Sequence, residues 1–74
     1  MSVTAFPVPV TASNLDFVLS RIPGDIVFLR FPDGGEDEVV YKRWAYEALD
    51  AAITVAKARV TYHGGAHVFT ITFP

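Results

Sequence analysis

The last third of the chain alternates around a Gly-Gly pair, and that alternation limits the fold more than any other feature. If Gly64-Gly65 makes a two-residue turn, Tyr62 faces His67 and Val60 faces Phe69. One face then carries Ala58, Val60, Tyr62, His67, Phe69, Ile71 and Phe73. The other carries Arg59, Thr61, His63, Val68, Thr70 and Thr72. A sheet of this kind must cover its apolar face and can leave its Thr-rich face to water. The chain has 74 residues and no cysteine. Packing of that one face, not disulfide cross-linking, has to hold it together.

Two segments are patterned to supply the cover. Leu15, Val18, Leu19 and Ile22 recur at helical spacing behind a Ser13-x-x-Asp16 start, and Pro23-Gly24 ends the run. From about Arg43 to Lys57, Ala45, Ala48, Leu49, Ala52, Ile53 and Ala56 form a second stripe, rich enough in alanine to lie close to a sheet. Asp25 to Phe31 reads as a strand that is central or covered on both sides. Pro32-Asp33-Gly34-Gly35 is turn chemistry, and Glu36 to Tyr41 returns to complete a hairpin. Val3 to Val10 places Pro7 and Pro9 on one side of a strand. Both remove N–H donors from the same edge, as an edge strand tolerates.

The element order is therefore β-α-β-β-α-β-β in a single α+β domain over residues 1–74. The architecture expected is a two-layer sandwich: a mainly antiparallel sheet with two helices on one face. The first six elements have the order of a ferredoxin-like split β-α-β unit with one extra strand. That is an analogy of architecture and implies no function.

Half the residues are apolar, ten are aromatic, and the net charge is −2. The apolar content argues against disorder, and the charge argues against direct nucleic-acid binding. No basic region precedes an apolar run at the N-terminus, and no apolar run reaches the length of a membrane span. With the missing cysteines, this points to a cytoplasmic setting, the host cytoplasm if the chain is phage-encoded, with no membrane role.

The chemistry-bearing candidates are few. His63 and His67 point to opposite faces across a two-residue turn, and only a three-residue loop would pair them, so no metal site is expected. Neither Gly34-Gly35 nor Gly64-Gly65 opens a helix in the manner of a phosphate-binding loop. No serine sits in a nucleophile elbow. The sequence thus predicts no catalysis and no cofactor. Asp33, Glu36, Asp37 and Glu38 are crowded at the tip of the first hairpin, where they either solvate it or meet a basic partner. Tyr41 and Trp44 flank Lys42 and Arg43 at a strand-to-helix junction, where they either close the core or form part of a contact surface.

The expectation is a small non-enzymatic protein-binding module acting through Asp33, Glu36, Asp37, Glu38, Tyr41 and Trp44. Its partner would be another protein with a basic or nucleic-acid-binding surface. Small cysteine-free inhibitors of phages and mobile elements, anti-CRISPR proteins among them, work in this way. Two alternatives stand beside it. One is a structural subunit that forms a homodimer or larger homo-oligomer through a sheet edge or the Thr-rich face. The other is a small ligand-binding domain or enzyme with a pocket between helix and sheet.

Overall fold

The computed structural model describes residues 7–74. The part of the N-terminal strand expected before Pro7 lies outside the described residues. The elements are β1 (Val8–Val10), α1 (Leu15–Ser20), β2 (Ile26–Arg30), β3 (Glu38–Tyr41), α2 (Lys42–Thr54), β4 (Arg59–His63) and β5 (Val68–Thr72). This is the expected α+β order. The five strands form one sheet in the order β1-β4-β5-β2-β3, antiparallel except for the β2–β5 pair. The extra strand thus enters the middle of the sheet. β1-α1-β2 and β3-α2-β4 each straddle two strands, and β5 is one of the two in both cases.

The C-terminal hairpin keeps its predicted faces with a different turn. His63 pairs with Val68, Tyr62 with Phe69 and Val60 with Ile71. The loop is therefore four residues long, Gly64 to His67, and His67 takes a left-handed φ of 56°. The register moves by two residues from the expected one. Side chains alternate with period two, so Val60, Tyr62, Phe69 and Ile71 still share the core face.

Helix α1 begins differently from the expected Ser13 cap. Thr11 N–H donates to Asn14 Oδ1 (2.7 Å), and Asn14 N–H donates back to Thr11 Oγ1 (3.3 Å). This reciprocal pair closes the turn that leads into α1, two residues upstream of the predicted cap; Asn14, at the helix N-cap, makes no side-chain cap bond. Leu15, Val18, Leu19 and Ile22 are all buried, as their spacing predicts. Gly24 then turns the chain with φ 83° and open space around its Cβ position. Gly24→Ala should lower stability by about 1 kcal/mol from backbone strain alone, measurable by urea titration.

Helix α2 buries Ala45, Leu49 and Ala52 and leaves Ala48 exposed. It ends at Thr54, three residues before the predicted end. Both helices lie over the core face. There Leu15, Leu49, Val27 and Phe69 are the largest side chains removed from solvent. With both helices on that face, β2 cannot be covered on both sides. It lies inside the sheet between β5 and β3, but only Val27 and Leu29 are buried, while Ile26 and Phe28 are exposed. No helix among the described residues is long and apolar enough to cross a membrane.

Candidate functional site: the open sheet face at β2 and β3

One end of the uncovered sheet face is apolar. Ile26 pairs with Tyr41 and Phe28 with Val39, and each pair shares the open face. These side chains remain 51%, 56%, 42% and 59% exposed respectively. Val68 of β5 stands beside Phe28 in register and is buried outside the core cluster, so it extends the patch inward. Farther across the sheet the face turns polar with Thr61, Thr70 and Thr72, which are half-buried. Four large apolar side chains in adjacent cross-strand pairs make a contiguous patch, which single scattered exposures do not.

Charge borders this patch on two sides. Arg30 and Asp37 form an exposed ion pair at 3.4 Å, worth under about 1 kcal/mol at such a site. Asp33, Glu36 and Glu38 are exposed and form no ion pair among the described residues. On the other side Arg43 lies over the Tyr41 ring at 5.9 Å. Asp25, Tyr41, Lys42 and Arg43 line an open cleft of about 510 Å³ at the start of α2. Lys42 is tied down there: its N–H donates to Asp25 O (2.8 Å), and its Nζ donates to the carbonyl of Ile22. Those bonds fix the strand-to-helix corner that presents Tyr41.

All six residues singled out in the sequence are exposed, and the structure separates them into three places. Asp33, Glu36, Asp37 and Glu38 occupy the β2–β3 connection and the first position of β3. Tyr41 belongs to the apolar patch. Trp44, 64% exposed, lies in the first turn of α2. Neither aromatic side chain closes the core. The apolar run through Ile26 and Phe28 suits a strand that is central or covered on both sides; β2 is inside the sheet but uncovered, and these two residues are half of the patch. The only sequence signal for this was the shortage of helix: two short apolar stripes can cover one face of a sheet and not both.

The histidines flank the β4–β5 turn, next to the patch: His63 pairs with Val68, and the His67 carbonyl accepts the Phe28 N–H at 3.4 Å. His67 Nδ1 and Tyr62 Oη lie 2.7 Å apart, and His63 Nε2 lies 3.5 Å from Thr61 Oγ1. Burial pushes the Tyr62 hydroxyl above its ordinary pKa. Among the described residues, no three His, Asp or Glu side chains gather into a group able to hold a metal ion.

No known family model matches the chain, and comparison with curated proteins and with solved structures brings out no match. Its functional reading therefore rests on this geometry alone.

Proposed function

We propose that the chain is a non-enzymatic protein-binding module whose contact surface is the apolar end of its open sheet face. The observation that carries this is the patch of Ile26, Phe28, Val39 and Tyr41, left bare while the rest of the open face is threonine-rich. Burying such side chains against a partner yields roughly 25 cal/mol for each Å² removed from water. The partner class follows from the border. Asp33 and Glu36 form no ion pair among the described residues and stand in the loop beyond the patch, while Glu38, opposite Leu29, turns to the helix side, so the complementary surface has an apolar centre with Lys or Arg on one flank. An inhibitor that occupies a basic site on its target is the narrower form of this reading, and Asp33 and Glu36 would supply it.

The test uses two variants that leave the core alone. Ile26→Ser with Phe28→Ser removes half the patch, and Asp33→Lys with Glu36→Lys reverses the free charges. The wild-type chain, cross-linked in extracts of its native cells, should yield one partner, joined through a basic surface. Calorimetry with that purified partner should show affinity at least tenfold weaker for each double variant, about 1.4 kcal/mol. Equal affinity for all three chains would overturn the reading.

A further inference from the structure

The two edges of the sheet are not alike. At β1 the outer edge is closed twice over. Pro9 offers no N–H, and its carbonyl accepts a hydrogen bond from Asn14 Nδ2 at 2.9 Å. At β3 no strand pairs with the outer edge among the described residues. Lys42 N–H donates inward to Asp25 O, and the register pairs Val40 with Val27 and Glu38 with Leu29. Along a strand alternate residues turn their main-chain groups to the same side. Residues 38, 40 and 42 therefore face β2, while the N–H groups of Val39 and Tyr41 face outward. No proline stands on this edge.

The charges along the edge run in a fixed order. Glu36, Asp37 and Glu38 come before the Val39-Val40 centre, and Lys42 and Arg43 come after Tyr41. A second copy of the same strand laid antiparallel sets acid against base at both ends. A parallel copy sets like against like. An antiparallel pair related by a two-fold axis is also the arrangement in which one surface can meet itself.

We propose that β3 pairs antiparallel with β3 of a second copy, joining two five-stranded sheets across a two-fold axis near Val39 and Val40. The contact uses the outward main-chain groups of Val39 and Tyr41, with the acidic 36–38 segment of each copy against Lys42 and Arg43 of the other. It leaves the open faces on the same side of the joined sheet. The two apolar patches then meet at the axis and form one surface twice as large. The pairing does not depend on the patch having a separate partner, because it is made by the edge and not by the face.

Analytical ultracentrifugation of the full chain from about 5 μM to 1 mM, the range suited to a small contact, tests this. The mass should rise from 8.1 kDa toward twice that value. Amide exchange should slow with concentration at Val39 and Tyr41, while Val40, already bonded to β2, should not change. Val39→Pro removes an outward donor without touching the β2–β3 ladder and should abolish the dimer. Glu36→Lys with Glu38→Lys, a surface change that spares the fold, should weaken it at least tenfold, and the wild-type dimer should weaken with added salt. A monomer throughout the range, or a dimer indifferent to both variants, would overturn the proposal. Ile26→Ser with Phe28→Ser should leave the dimer intact, so loss of the partner and loss of the dimer are separate results.

Discussion

Val27→Asp should unfold the protein, while Phe28→Asp, one residue along, should barely disturb it. Both positions are apolar and adjacent in β2, and sequence patterning treats them alike. Val27 is completely buried against the helices, and Phe28 is 42% exposed on the open face. A carboxylate at 27 would lie among Leu29, Leu49 and Phe69 in the core with no cationic partner there. Burying an unpaired charge costs several kcal/mol, about 3–5 where a buried partner has been lost. A domain of this length has about 4–11 kcal/mol in all. The aspartate at 28 stays in water beside Arg30 and should change stability by about 1 kcal/mol or less. Urea titration followed by far-UV circular dichroism measures both. Trp44 is a poor reporter because its indole is largely in solvent already. Equal losses at the two sites would mean that β2 is covered on both faces.

Phe69→Ala should cost about 3–5 kcal/mol, a large share of the about 4–11 kcal/mol that holds the domain. Phe69 sits on β5, the strand inserted at the centre of the sheet, with Tyr62 opposite on β4 and Leu29 beside it on β2. It is completely buried, and its ring centroid lies 4.9 Å from that of Tyr62. The truncation removes the apolar transfer energy, the tilted aromatic contact and the filling of the space between sheet and helices. The last loss matters because close-packed surroundings collapse only partly into a cavity. Chemical denaturation should show a midpoint shifted strongly downward with little change in slope. A loss below about 1.5 kcal/mol would mean that the helices can settle into the gap. The exposed Phe73, 47% accessible on the same sequence face, makes the comparison: its truncation should cost a small fraction of that loss.

The open face has a plain physical origin. The described residues form two helices, and the core face uses both. Everything on the other side of the sheet must be soluble or be covered by something else. Threonine solves that over β4 and β5. Over β2 and β3 the sequence keeps Ile26, Phe28, Val39 and Tyr41, a choice that solubility alone does not favour. The surface reading begins from that departure, and the edge-pairing proposal from the unpaired outer side of β3.

Much of this was determined by the sequence on its own. The period of two in β4 and β5 set which side chains face the core, and it did so although the turn has four residues and not two. Prolines at 7 and 9 marked β1 as an edge, since a missing N–H is harmless only where no strand follows. The spacing of Leu15, Val18, Leu19 and Ile22 named a helix face that the structure buries completely. The helix start moved from Ser13 to the Thr11–Asn14 pair because several polar side chains in one turn can serve, and the geometry of the incoming strand selects among them. The strand order, the parallel β2–β5 pair and the bareness of β2 belong to tertiary structure. Each depends on which side of the sheet the helices take and where β5 inserts. An apolar run reports only that a strand is able to be buried; whether it is buried is decided by what the rest of the chain has left to cover it.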